Sequence, residues 1–379
     1  MLDLCAEDVE VGARVRSLVD EVARSQRFIL GPMVERFEAA AAEYLGARHA
    51  IGVSSGSDAL VVALLALGIG PGDEVLTTPF SFFATVESIL RVGATPRFVD
   101  ISVPSFALEP RAVAAALGDR VRAVVLVHLY GQPAAADAIA RLALARGIPL
   151  VEDAAQAFGA RLGARRAGTF GALGCFSFHP AKPLGAWGDA GLVVTDDARL
   201  AERARSLRAH GASQKHVHAE LGGNYRLDAL QAAVLLGKLP ALPAWLTARR
   251  AHARAYNAEL RHLEGLTLPV FEADAEPSVA LYTVRVGGGQ RDALARHLLE
   301  RGVETAVHYP LPLHHQPALL GRALAGELPE AERAAAEVLS LPLYPELTPE
   351  LQKRVVHEID AFFAASGQSK RPIVSTYQS

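Results

Sequence analysis

Lys182 lies between Pro180 and Pro183 and just ahead of Gly185, Gly188 and Gly191, in the run "FSFHPAKPLGAWGDAG". Neither a helix face nor a sheet edge accounts easily for an amine at that place. An amine held at the top of a sheet can condense with an aldehyde, because partial desolvation lowers its pKa and raises its nucleophilicity. Taken alone, a lysine is more often a solvated surface group. A second stretch, "IPLVEDAAQAFGA", ends an apolar run on Glu152 and Asp153. A carboxylate buried there needs a cation or hydrogen-bond donors. It reads equally as the N-cap of a following helix, packed through Ala154 and Ala155, or as a carboxylate aimed at a protonated ring nitrogen. A third, "VSSGSDALVVALLALG", passes from a strand end through Ser, Gly and Ser into a helix. Free N–H groups and the positive end of a helix dipole there suit a phosphate. By itself this stretch reads as an ordinary turn capped by Ser55, Ser57 or Asp58. It lacks the Walker lysine and the three-glycine dinucleotide pattern.

These residues need a scaffold that brings strand ends together. From about Ala47 the chain alternates β-rich runs, "HAIGVS", "DEVLTTP", "TPRFVDI", "RAVVLVHLYG", "IPLVEDAA", "GCFSFH" and "GLVVTDD", with helical ones such as "DALVVALLALG", "FFATVESILRVG" and "ADAIARLALARG". The helical runs carry apolar residues at helical spacing and end at glycine. Such alternation predicts an α/β fold: a mostly parallel seven-stranded sheet between helices, with ligands at the carboxyl ends of its strands. A helical region follows. After "EGLTLPV" the runs "VALYTVRVGG", "RDALARHLLERG" and "VETAVHYPLPL" predict a smaller C-terminal α+β unit. The expected division is 1–250 for the large domain, N-terminal segment included, and 251–379 for the small one, with the boundary inside a helix between Trp245 and Leu260. The polar tail "SGQSKRPIVSTYQS", with Pro372, is expected to fray.

Bulk properties narrow the partners. The 379 residues hold 38 Lys plus Arg against 41 Asp plus Glu, a formal charge of −3, and no helix-turn-helix module or basic patch. Nucleic acid and anionic membranes are therefore not expected. Cys5 and Cys175 stand far apart in unlike contexts, which argues against a disulfide framework and a structural zinc site and fits a reducing compartment. The N-terminus shows no basic-then-apolar signal pattern. The apolar run from Ala59 falls short of the roughly 20 residues of a spanning helix. A cytoplasmic protein is the expectation.

A phosphate cradle, a strand-end carboxylate and an amine together describe one cofactor: a phosphate, a pyridine nitrogen that must stay protonated, and an aldehyde to be captured. At nearly full length the sequence resembles the pyridoxal phosphate-dependent sugar aminotransferases of the DegT/DnrJ/EryC1/StrS family, fold type I. The resemblance rests on "RFILGPMVERFE", "SGSDAL", "GIGPGDEVLTTPFSFFAT", "VHLYGQPA", "EDAAQAFGA", "FSFHPAKPLGAWGDAG", "GGNYRLDALQAA" and "TAVHYPLPLHHQPAL". It implies that Lys182 holds pyridoxal 5′-phosphate covalently and that Asp153 pairs with the pyridinium nitrogen. Gln156 would hydrogen-bond the phenolic oxygen, with Ala155 under one ring face and Phe82 stacked on the other. Gly56, Ser57 and Ser177 would hold the phosphate, joined by Asn224 of the neighbouring subunit, so that a homodimer shares its active sites. Arg226 would bind a carboxylate or brace its loop, and His308 and Tyr309 would face the sugar.

The implied reaction is a two-stage transamination. L-glutamate gives its nitrogen to the cofactor, which passes through the pyridoxamine form, and a nucleotide-linked keto sugar takes it up. Block similarity points to amination at C3 of a UDP- or TDP-linked sugar. A C4-aminating or keto-cyclitol enzyme would share every cofactor residue, and a regulatory protein that binds the cofactor is the non-enzymatic alternative. A histidine in place of the lysine would mark the dehydratase branch, and Lys182 argues against it. His216, His218 and Glu220 read as an exposed polar loop rather than a metal site, and His314 and His315 as a surface pair, so no metal is expected. Pro183 departs from the asparagine usual after the lysine, and the chemistry is expected to survive it.

Overall fold

The structure is a computed structural model that describes residues 4–103, 105–133 and 135–365. The expected frayed tail lies outside the described residues, as does the side chain of Cys5.

Seven strands form the main sheet: β1 (His49–Val53), β2 (Glu74–Thr77), β3 (Thr95–Phe98), β4 (Val121–Val127), β5 (Leu150–Asp153), β6 (Leu173–Ser177) and β7 (Gly191–Thr195). All seven fall on the runs expected from sequence. Their order is β1-β7-β6-β5-β4-β2-β3. The pairs from β6 through β3 are parallel, while β7 runs antiparallel to both its neighbours, β6 and β1. This departs from strict βα alternation. Antiparallel neighbours need no crossover helix, so an irregular loop joins β6 to β7, and that loop carries Lys182.

Side chains alternate across the sheet and are buried on both faces. Ala50, Phe176, Leu192 and Val194 enter one apolar cluster, and Ile51, Val53, Cys175 and Val193 the other. The first cluster is covered by α1 (Leu4–Ser25), α2 (Pro32–Leu45) and α8 (Ala229–Lys238); the second by α3 (Gly56–Ala66), α4 (Ala84–Arg91) and α7 (Ala198–Leu207). Burial of α3 is nearly complete, from Ala59 to Leu64 without a break, as expected for a helix apolar all round. Each of its Leu and Val side chains contributes about 1.5–3 kcal/mol by leaving water. Beyond β3 and β4 lie α5 (Pro110–Ala116) and α6 (Ala136–Ala145).

The C-terminal part builds a second sheet from β8 (Leu266–Thr267), β9 (Tyr282–Val286) and β10 (Val338–Leu341), in the order β8-β9-β10, with α10 (Arg291–Glu300), α11 (Pro329–Glu337) and α12 (Pro349–Ala365). Of the run "VETAVHYPLPL", only Ala306 pairs, by a single bridge to Ser340. Between the two parts runs α9 (Leu242–Leu260). Its Trp245 and Leu246 pack with α8, and its Ala253, Tyr256 and Leu260 pack with the second sheet. A tight turn at Leu239–Ala241 joins α8 to α9. The joined stretch, residues 229–260, is long and apolar enough by length and composition to cross a membrane, beyond what the sequence runs suggested, and 67% of its most apolar window is buried inside the protein.

Candidate active site

A cavity of about 460 Å³ opens where β1, β4, β5 and β6 end. Ten of the expected residues line it together: Gly56, Ser57, Phe82, Asp153, Ala155, Gln156, Ser177, Lys182, His308 and Tyr309. Three of the walls follow from strand ends, because β1, β5 and β6 deliver Ser55–Ser57, Asp153 and Ser177 to the same side of the sheet.

The phosphate-sized end is formed by the start of α3. Ser55 caps this helix, its Oγ accepting from the Asp58 N–H at 3.1 Å. Asp58 is held in turn by the Ser54 hydroxyl at 2.6 Å and by Arg91 at 3.3 Å. A Cβ on Gly56 would lie 2.5 Å from the Cβ of Ser177, so the β6 end and the helix start can meet only if residue 56 is glycine. The Ser177 Oγ accepts from the His179 N–H at 3.3 Å, which leaves its proton to donate elsewhere.

Asp153 is buried with both carboxylate oxygens engaged. Thr85 donates its hydroxyl to Oδ2 at 2.7 Å, and the Ala155 N–H reaches Oδ1 at 3.2 Å. Ser81 in turn shares a 2.9 Å hydrogen bond with Thr85. Burial raises the Asp153 pKa from the ordinary aspartate value, opposed by Thr85, Ala155, Lys182 and His128 in falling order. A cationic N–H docked against this carboxylate would keep it ionised. No helix follows β5: residues 154–160 form turns. The N-cap reading of Asp153 is therefore excluded, since a helix there would need the space that the turn gives Ala155 and Gln156.

Glu152, next in the strand, points away from this task. It is fully buried and takes three donors, Gly168 N–H at 2.7 Å, Gly171 N–H at 2.6 Å and His128 Nε2 at 2.7 Å. Gln156 is fixed by its carbonyl, which accepts from the Tyr130 N–H at 2.6 Å. Its amide also hydrogen-bonds the Tyr309 side chain, and with two N–H donors it keeps one for a partner in the cavity.

The loop that presents Lys182 is set by close approaches. A Cβ on Gly185 would meet the Pro180 carbonyl oxygen at 2.4 Å, and one on Gly191 the Ser55 carbonyl oxygen at 2.2 Å. The Lys182 N–H donates to the His179 carbonyl at 2.8 Å. Burial lowers the Lys182 pKa below the ordinary lysine value, while Asp153 pulls it the other way. Pro183 is buried and does not line the cavity.

The opposite wall comes from the C-terminal part. His308 Nδ1 lies 2.9 Å from the Ser340 Oγ, and the Tyr130 hydroxyl donates to the His308 carbonyl. Burial first, and Lys182 second, lower the His308 pKa, and burial raises that of Tyr309. Phe82 is 59% exposed and its ring centroid lies 6.1 Å from that of Tyr309.

Asn224 and Arg226 are not brought into the cavity of their own chain. Asn224 is exposed, and Arg226 pairs through its backbone with Val53 at the end of β1, its Nε buried without a hydrogen-bond partner. Sequence reasoning missed Thr85, His128, His179, Asp189 and Leu281. Thr85 closes the block "PFSFFAT" three residues after Phe82, a helical spacing that could have flagged it. His216 and His218 are exposed, and Glu220 pairs with Arg203 at 2.9 Å, as an ordinary polar loop would.

Comparison with known proteins bears on this arrangement. Residues 10–360 match the model of the DegT/DnrJ/EryC1/StrS aminotransferase family. The chain belongs to that family. It is 46% identical over 366 residues to a protein of Geobacillus stearothermophilus named a pleiotropic regulatory protein, covering 96% of this chain and 98% of that one. It is 45% identical over 359 residues to the dTDP-3-amino-3,4,6-trideoxy-alpha-D-glucose transaminase of Streptomyces venezuelae, covering 94% of each. The crystal structure of S. venezuelae DesV with a ketimine intermediate superposes with a TM-score of 0.92 at 45% identity, over 95% of this chain and 97% of that one. The protein is a fold type I aminotransferase, and the family's cofactor is pyridoxal 5′-phosphate. The aminotransferase's own residues suit it: the α3 start with Gly56 and Ser57 and the Ser177 hydroxyl offer donors for a phosphate, Asp153 is a buried carboxylate that a ring N–H could meet, and Lys182 lines the same cavity.

Proposed function

We propose that this aminotransferase moves an amino group from L-glutamate to the C3 carbonyl of a UDP- or TDP-linked keto sugar. The observation that carries the reading is the gathering of Lys182, Asp153 and the Gly56–Ser57–Ser177 cradle in one cavity whose far wall is His308 and Tyr309. The choice of sugar and of C3 is supported by the name of the S. venezuelae transaminase.

Bound pyridoxal 5′-phosphate supplies an aldehyde that captures amines and a ring that takes up the charge left by a departing α-proton. Asp153, aligned by Thr85 and Ala155, holds the proton on the ring nitrogen. The Lys182 amine, with its pKa lowered by burial, would take the proton from the α-carbon of the amino donor and, in the second stage, return one to the carbon that receives the nitrogen. Gln156 donates from Nε2 to the phenolic oxygen, since Tyr130 occupies its carbonyl. The α3 N-terminus and the Ser177 hydroxyl bind the phosphate. Phe82 and Ala155, which line the cavity, would bracket the ring, and His308 and Tyr309 would contact the sugar.

The working form we infer is a homodimer in the cytoplasm. Asn224 is exposed and outside its own cavity, where a neighbouring subunit's phosphate could meet it, and Phe28, Ile29, Trp187 and Leu221 form exposed apolar surface. The chain is read as a large domain to about residue 250 and a small domain beyond it. Arg226 sits beside the cradle at the β1 end and is read as bracing that loop or binding a carboxylate.

The deciding experiment incubates the holoenzyme with L-glutamate and, separately, TDP- and UDP-linked 3-keto and 4-keto sugars, measuring 2-oxoglutarate and amino sugar. Stoichiometric 2-oxoglutarate with a 3-amino product is expected. Turnover of only the 4-keto sugars would overturn the C3 reading.

A further inference from the structure

Away from the cavity, three side chains that a metal could use meet at the surface. His314 and His315 lie in the tight turn Leu313–His315, and Glu332 in the first turn of α11. The Glu332 Oε1 is 3.3 Å from the His314 Nε2 and 3.6 Å from the His315 Nε2. The three ligand atoms lie within 4.8 Å of one another, and the two rings, centroids 4.1 Å apart, stand side by side. Donor atoms around a tetrahedral ion with bonds of about 2.0–2.1 Å sit roughly 3.3 Å apart. The two histidine–carboxylate separations are close to that value, and all three donors are near enough to share one ion.

A simple ion pair explains this cluster less well. One carboxylate oxygen serves both imidazoles, and the buried Nδ1 of His314 has no hydrogen-bond partner among the described residues. Imidazole and carboxylate side chains gathered in one cluster are the ligands that zinc-type ions take. The surroundings add negative charge. Asp100 caps α11, accepting from the N–H groups of Glu330 and Ala331 at 2.9 and 3.0 Å, and Arg333 is turned to Glu330 at 2.9 Å rather than to Glu332.

We propose that His314, His315 and Glu332 form a binding site for one divalent transition-metal ion of the zinc type, with a fourth position open to water. The site needs nothing from the reading of the sugar substrate. Its place gives it a role. The adjacent Leu313 is buried and donates its N–H to the Pro79 carbonyl at 2.7 Å, in the loop leading to Phe82, and the same segment begins at His308 and Tyr309. A bound ion fastens this wall of the cavity to α11.

The test uses untagged holoenzyme dialysed against chelator and titrated with zinc chloride, by calorimetry and by thermal melting. One zinc per chain and a rise in Tm are expected. His315→Ala and Glu332→Gln, both at half-exposed positions that folding tolerates, should each weaken binding at least about tenfold and abolish the rise. His218→Ala, in the other histidine-bearing loop, should leave both unchanged. Absence of saturable zinc binding by the parent enzyme would overturn the proposal. So would binding that survives both cluster variants or is lost with His218.

Discussion

The two sides of the cavity are built in different ways. On the sheet side three acceptors or donors around the cavity are held by groups that are themselves held: Ser81 supports Thr85, which supports Asp153; Tyr130 supports Gln156; Arg91 and Ser54 support Asp58 beneath the phosphate cradle. On the far side, Ser340 is the one side-chain hydrogen-bond partner of the His308 ring among the described residues, and Tyr130 reaches only the His308 backbone carbonyl. Rigid support suits groups that act on the same cofactor atoms in both half-reactions. Looser support suits groups that meet only the sugar. The contrast predicts that changes on the sheet side lower the rate of both half-reactions, and that changes on the far side touch the second alone.

The most severe test is Lys182→Ala. It should slow the glutamate half-reaction about 10⁴-fold, followed as single-turnover loss of cofactor absorbance. Asp153→Asn keeps the shape and removes the charge, and should slow both half-reactions by about 10²–10³ while loosening cofactor retention on gel filtration. Thr85→Ala removes a hydrogen bond to a buried charge worth about 1.5–3 kcal/mol, hence a loss of roughly ten- to hundredfold in both half-reactions, with Thr85→Ser restoring most of it. His308→Ala should leave the glutamate half-reaction unchanged and raise KM for the sugar about two- to tenfold. An equal effect of His308→Ala on both half-reactions would erase the distinction between the two sides. Smallest of all, Pro183→Asn should stay within about twofold of the parent, because residue 183 does not line the cavity and Gly185 fixes the loop.

The sequence was legible wherever a feature is local and periodic. Each of the seven strands appears as a β-rich run, and Lys182, Asp153 and Gly56 stand out because an isolated amine, a carboxylate at an apolar strand end and a serine–glycine–serine turn are each unusual against their surroundings. What stayed hidden depends on pairing across long separations. That β7 runs antiparallel follows from contacts with β6 and β1, which no window of sequence contains. Thr85 matters only because α4 packs its start against the end of β5, and Glu332 only because α11 returns to the turn that carries His314 and His315. Glu152 and Asp153 are adjacent at the end of one apolar run. Strand geometry sends them to opposite faces, one to a clasp of glycine N–H groups and His128, the other to the cavity.

The helix α9, which packs with α8 at one end and with the second sheet at the other, has a practical consequence for anyone wishing to dissect the molecule. A break near residue 250 would not fall in a tether but halfway along a rod, leaving Trp245 and Leu246 on a stub and stripping Tyr256 and Leu260 of the turns that align them. Neither fragment would inherit a finished edge, so the two parts are better regarded as spliced than as linked.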